Sequence, residues 1–156
     1  MDSLTPEKRS WNMSRIRSKN TKIEKEVRTV LHKMGYRYRI NPIDILGKPD
    51  IFLRKYNTAI FVHGCFWHRH QGCKYAYTPK SNIEFWDLKF KKNINRDNNV
   101  KSQIEKMGIN YLVVWECELR DIDKLKKRLE NMLIKNVSCR TSCAPAERNG
   151  QVFKRN

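Results

Sequence analysis

Between His63 and Cys73 the chain reads HGCFWHRHQGC, and Cys65, His68, His70 and Cys73 fall within nine positions of it. All four are ligand types that zinc favours, and a structural zinc site needs four nitrogen or sulfur donors in tetrahedral array. A further donor, Cys117, closes the apolar run YLVVWEC. The set Cys65, His70, Cys73 and Cys117 meets that need and leaves His63 and His68 for other chemistry. The spacing is not that of a common zinc finger, so the competing reading is a pair of buried thiols beside solvated histidines. Cys139 and Cys143 lie in a polar C-terminal stretch and are left outside the set.

A second kind of chemistry needs a hard oxygen ligand. Hydrolysis of a phosphodiester calls for Mg²⁺ to neutralise developing charge and a base to prepare water. Pro49-Asp50 opens an apolar run, IFLRKYNTAIFVH, that reads as a β-hairpin. The turn before it holds the backbone, Asp50 projects from its end, and the returning strand brings Val62 and His63 alongside. The Val62 carbonyl could then share a metal with Asp50. A Pro-Asp pair is also common in turns that do no chemistry.

These residues must be carried by regular elements. A short basic helix is expected from about Pro6 to Arg17. A second follows, with Ile23, Val27, Val30, Leu31 and Met34 at helical spacing, Thr21 and Glu24 at capping-box spacing, and Gly35 at its end. Tyr36–Ile40 alternates like a strand, and a turn with Pro42, Gly47 and Pro49 leads to the hairpin strands Asp50–Arg54 and Thr58–His63. Ser81 and Glu84 repeat the capping-box spacing at the start of a helix running to Met107, with a break expected among the asparagines of Asn93–Asn99. Tyr111–Cys117 reads as a buried strand. Ile122, Leu125, Leu129, Met132 and Leu133 form one face of a last helix from Asp121. The fold class is therefore α/β, or mixed α+β, with a central mixed sheet flanked by helices. Residues 1–20 form a basic arm, 21–136 the core domain, and 137–156 a flexible tail.

The 156 residues carry 33 Lys and Arg against 16 Asp and Glu, a formal net charge of +17. So large an excess on one small domain points to a polyanion, nucleic acid being the usual one. The opening MDSLTPEKRSWN has no apolar run, and no stretch reaches bilayer-spanning length. A cytoplasmic protein is expected, with its five cysteines reduced.

Five blocks carry a resemblance: residues 12–24 (NMSRIRSKNTKIE), 47–50 (GKPD), 61–68 (FVHGCFWH), 84–86 (EFW) and 113–117 (VVWEC). In order and separation the chain, from about Ser10 to Leu133, resembles the bacterial very-short-patch-repair mismatch endonucleases. The resemblance implies a restriction-endonuclease-like core. It also implies nicking on the 5′ side of the thymine in a T:G mismatch left by deamination of 5-methylcytosine. It implies Asp50 as Mg²⁺ ligand with the Val62 carbonyl, His68 as water-activating base, His63 at the scissile phosphate, and Glu24 as an accessory acidic residue. Asp97 would orient His68, and Cys65, His70, Cys73 and Cys117 would hold zinc. A bacterial enzyme of this kind would associate with the nucleoid when bound to DNA, and is linked in function to a cytosine-5 DNA methyltransferase. The stretch between His68 and Cys73 is one residue longer than the family's His-rich version. Glu24 as a plain helix cap, His68 as a further zinc ligand and Asp97 as a solvated charge are the alternatives.

Phe66, Trp67 and Trp86 would form the apolar wedge that such an enzyme inserts beside a mismatched pair. Phe85 and Trp115 read as core packing. Arg15, Arg17 and Lys19 of the arm, with Lys8, Arg9 and the cluster Lys89, Lys91 and Lys92, would contact phosphates. No dimerisation element is evident, so a monomer is expected. The competing functions are a zinc-stabilised binder of distorted duplex that does not cut, and a restriction-type endonuclease of the same fold. The joint presence of Asp50, His63 and His68 favours a nicking enzyme over a binder.

Overall fold

The computed structural model describes residues 20–142, with side chains to 135, together with residues 5, 7, 8, 11 and 15. Among these, the order is α1 (Lys22–Lys33), β1 (Arg39–Ile40), β2 (Ile51–Leu53), β3 (Thr58–His63), α2 (Ile83–Lys106), β4 (Asn110–Trp115) and α3 (Ile122–Ser142). The strands form one mixed sheet in the order β1-β2-β3-β4, antiparallel except for the parallel β3–β4 pair. A parallel neighbour requires a long crossover. That crossover contains both the Cys/His segment and α2, so the chemistry sits on the connection the topology demands.

Alternation along the strands divides the core. Ile51, Leu53, Ile60, Val62, Leu112 and Val114 pack with Val27, Val30 and Leu31 of α1 and Leu125, Leu129 and Leu133 of α3. The opposite parity, Phe52, Ala59 and Phe61, packs with Ile45 and with Ile104 of α2. Two helices therefore cover one face and α2 the other, the layered arrangement expected when both faces of a sheet are apolar. His63 has the parity of Phe61, which turns it toward α2, and its register partner is Trp115.

Several boundaries differ from expectation, each for a local reason. The Tyr36–Ile40 strand shrinks to Arg39–Ile40, because Tyr36 and Tyr38 pack against the α1-side core instead, and the Tyr38 hydroxyl donates to the Arg28 carbonyl at 3.1 Å. The cap falls one position later than the Ser81/Glu84 spacing predicts: α2 starts at Ile83, and its cap position is Asn82, in left-handed backbone with no side-chain cap bond of its own. No break occurs at Asn93–Asn99. That stretch is the polar face of one unbroken helix, where Asn93 and Asp97 reach the Cys/His loop. The strand to Cys117 ends at Trp115, leaving Cys117 in a 3-10 turn, Glu116–Arg120. The last helix continues to Ser142, into the segment expected to be a tail. The helix expected at Pro6–Arg17 falls largely outside the described residues.

Gly47 shows how closely the turn before Asp50 lies on α2. Its φ is +76°, and an added Cβ would stand 2.5 Å from Cγ1 of Val100. Only glycine accepts both the backbone and the contact. Gly47→Ala is expected to lower stability by about 1–3 kcal/mol. The check is a lower urea midpoint at unchanged denaturant slope.

Candidate active site and metal centre

A cleft of about 850 Å³ opens between the start of α1, the C-terminal end of β3 and the polar face of α2, and Glu24, Asp50, Val62, His63, Trp67, His68 and Asp97 all line it. Asp50 stands just ahead of β2, and its Oδ2 accepts the Val62 N–H at 2.8 Å. Its Oδ1 has no hydrogen-bond donor among the described residues. Burial pushes its carboxyl up to about 6, and the Glu24 carboxylate adds to the rise. The Val62 N–H and the charges of Arg28 and His68 offset only part of it. A buried carboxylate with an open oxygen and too little positive charge is suited to a cation.

Glu24 is only 4% exposed, and both its oxygens are engaged. Oε1 accepts from the Thr21 hydroxyl at 2.8 Å and the Thr21 N–H at 3.3 Å; Oε2 accepts from the Asn20 N–H at 3.0 Å and from Arg28 at 2.8 Å. The capping box is present, and the same carboxylate forms one wall of the cleft. Sequence reading missed Arg28, a buried cation that also donates to the Asn20 side chain at 2.8 Å and whose Nε has no partner among the described residues. Its i,i+4 spacing from Glu24 was the available signal.

His68 lies across the same cleft. Its Nδ1 pairs with Asp97 Oδ2 at 2.5 Å, joining the loop to the middle of α2. Burial works against the Asp97 charge, but the His68 hydrogen bond, with nearby His63 and Arg96, holds that carboxyl below its usual range. His63 stacks on His68 with ring centres 3.8 Å apart and planes 11° from parallel. Burial, reinforced by the charge of His68, pushes His63 down to about 3, so its imidazole is neutral at neutral pH.

The second cluster sits behind this pair. The ligand atoms of Cys65, His70, Cys73 and Cys117 all lie within 4.8 Å of one another. His70 Nδ1 is 3.6 Å from Cys65 Sγ and 3.3 Å from Cys117 Sγ. Tetrahedral bonds of zinc to sulfur and nitrogen would set such pairs about 3.5 Å apart. The donor set therefore fits a metal ion with little movement. The loop turns just before Cys73, where Gly72 takes φ +71° and the Cys73 N–H donates to the His70 carbonyl at 3.2 Å. His68 does not join this set; with His63 and Asp97 it forms a separate group of potential ligands.

Phe66, Trp67 and Trp86 come together as half-buried rings: Phe66 lies 5.1 Å from Trp67 and 5.4 Å from Trp86, over Phe90 of α2. Asn93 donates to the Trp67 carbonyl at 3.0 Å, and the Arg69 guanidinium covers Phe90 at 4.5 Å. Neither contact was expected from the sequence. Phe85, expected in the core, is instead 54% exposed next to Trp86. Trp115 is half-buried, with its ring stacked on His70. Arg15 is exposed with its guanidinium 4.1 Å over Trp11. Arg17 and Lys19 lie outside the described residues.

The mixed sheet carries an acidic residue just ahead of β2 and a histidine at the end of β3, with a second histidine in the loop that follows. The solved catalytic domain of homing endonuclease I-Bth0305I shares the fold, with a TM-score of 0.55 at 24% identity, over 76% of this chain and 99% of that one. The family model described as DNA mismatch endonuclease Vsr matches residues 1–74. The type II nicking enzyme V.XorIIP of Xanthomonas oryzae is 44% identical over 132 residues, 85% of this chain and 96% of that protein. The DNA mismatch endonuclease Vsr of Escherichia coli is 39% identical over 117 residues, 75% of this chain and 74% of that protein. The chain belongs to the Vsr DNA mismatch endonuclease family, and it is a DNA endonuclease. No described helix is long and apolar enough to cross a membrane.

Proposed function

We propose that this endonuclease nicks one strand of duplex DNA on the 5′ side of the thymine in a T:G mismatch, using Mg²⁺ at Asp50 and a structural zinc at Cys65, His70, Cys73 and Cys117. The observation that carries the reading is the His68–Asp97 pair lining one cleft with Asp50. Asp97 accepts from Nδ1 of His68, which leaves Nε2 free as the acceptor for a water proton. Neutral His63 offers the phosphate an N–H without a charge and holds the plane of His68 by stacking. Asp50 and the Val62 carbonyl would hold the Mg²⁺, which when bound supplies charge neutralisation at the scissile phosphate. Glu24 adds negative charge beside it.

Water then attacks phosphorus as His68 takes its proton, the bond to the leaving oxygen breaks, and that oxygen takes a proton from solvent to give a hydroxyl end beside a phosphate end. Phe66, Trp67 and Trp86 wedge against the mismatched step, where unstacking costs least. Residues 1–20, with Arg15, Arg17 and Lys19, reach the backbone, and the protein acts as a monomer. T:G pairs from 5-methylcytosine tie its work to a cytosine-5 methyltransferase, and two relatives with mismatch or nicking activity in their names support this reading.

The test uses matched duplexes differing only in T:G or C:G at one position. A nick in the T:G duplex alone, dependent on Mg²⁺, is the expected result. His68→Ala should lower the single-turnover rate by about 10²–10⁴-fold with duplex affinity unchanged. Equal nicking of both duplexes would overturn the mismatch reading, and full activity in His68→Ala would overturn the assigned base.

A further inference from the structure

The His63 ring is 7% exposed, yet it makes no hydrogen bond among the described residues. Rotation about the second side-chain torsion of histidine is soft, so something other than hydrogen bonding must hold this ring. Three aromatic contacts do so: the face of His68, the edge of Phe61 at 6.3 Å, and Trp115 at 5.3 Å and 76°. Trp115 is fixed in turn on its other side. Its indole stacks on His70 with centres 4.1 Å apart and planes 4° from parallel. The Trp115 backbone N–H, not the indole, donates to Glu118 Oε2 at 2.8 Å, and Arg128 ties Glu118 to the Val113 carbonyl, which fixes the chain at the root of the ring. The rings His68, His63, Trp115 and His70 thus form one continuous row from the cleft to the metal cluster.

We propose that Trp115 is a positioning residue that holds His63, and through it His68, against the metal-bound loop, so that order in the Cys/His cluster is transmitted to the water-activating group. The inference rests on the assignment of His63 and His68 given above. Its physical basis is that a flat ring clamped by a metal-held imidazole has little freedom to tilt. His63 packs on the edge of that ring. A smaller side chain without a plane would withdraw that support and leave His63 free to rotate.

The test compares Trp115→Leu, Trp115→Phe and the unaltered protein by long-range ¹H–¹⁵N spectra of the imidazoles, metal content per chain, duplex affinity and single-turnover nicking. The chain has only four histidines, so the ring signals are separable. In Trp115→Leu the His63 and His68 signals should shift or broaden, and the nicking step should fall about 10- to 100-fold, the cost of small misplacements at a reacting centre. Metal content and duplex affinity should stay within about twofold, since neither the ligands nor the DNA-facing rings are altered. Trp115→Phe, which keeps a plane, should recover most of the rate. Unmoved His63 and His68 signals at full rate would overturn the proposal. So would a rate loss that follows loss of metal or of fold in both variants, because Trp115 would then be packing alone. Failure of the underlying assignment is distinguishable: His68→Ala would nick at full rate whatever the Trp115 spectra show.

Discussion

Asp50→Asn is expected to abolish Mg²⁺-dependent nicking while making the metal-free protein more stable at pH 7. The loss should be about 10³-fold or more, because the charge that a bound cation supplies to a phosphoryl transition state is worth several kcal/mol. Duplex binding should persist, since Asp50 is one carboxylate in a strongly basic chain. The stability gain follows from the sign of the shift. Burial raises the Asp50 carboxyl to about 6 in the fold, above its unfolded value, so the native state binds the proton more tightly. Stability without Mg²⁺ therefore falls as pH rises from about 4 to 6, and the full penalty is present above that window. Asparagine removes the penalty, a gain of about 1–3 kcal/mol at pH 7 that vanishes toward pH 4. Urea titrations at both pH values in Mg²⁺-free buffer, beside single-turnover assays, check both halves. A variant that is inactive but less stable at pH 7 would mean that Asp50 is a structural turn residue.

Removal of the metal proposed at the Cys/His cluster should have the next largest effect. In the metal-free protein burial pushes the Cys65 thiol up to about 12 and raises Cys117 as well, whereas the Tyr75 N–H holds Cys73 below the usual thiol range. Metal uptake must displace protons from Cys65 and Cys117, so affinity should weaken as pH falls. Cys117→Ser should lose the metal and lower the melting temperature by about 10 °C or more, because β3, the loop and the turn after β4 are then no longer joined. The sheet and the α1–α3 core should survive, since their packing does not involve the cluster. Nicking should fall with the metal, because His68 and His70 share one loop. Elemental analysis and scanning calorimetry read the result. A Cys117→Ser protein with full metal content and unchanged melting temperature would refute the site.

The legible features of this chain were local ones. Thr21 and Glu24 at capping-box spacing form that box, and the short hairpin turn from Lys55 to Asn57 closes with Asn57 at φ +46°. Cys65, His70 and Cys73 could be grouped because a chain has few other reasons to crowd such donors into nine positions. The misreadings came where a polar or aromatic residue answers to a distant partner. The Asn93–Asn99 stretch looks like a helix break until Asn93 is seen to reach the Trp67 carbonyl from one continuous helix. Tyr36 and Tyr38 look like strand residues until the core claims them. Glu24 could be read as cap or catalytic acid, and only its contacts show that both oxygens already serve Asn20, Thr21 and Arg28.

The sequence by itself determined the α/β class, pointed through its charge to a polyanionic partner, and displayed the metal-ligand residue types at Asp50 and in the His63–Cys73 segment. Those depend on residue type and near-neighbour spacing, which a linear chain displays. Tertiary structure alone decided that Asp50 is short of positive charge and that His63 is packed among rings with no hydrogen bond among the described residues; it also brings His68 against Asp97, twenty-nine positions away. Burial and contact across the sheet set those properties, and neither exists until the parallel β3–β4 crossover brings the segments together.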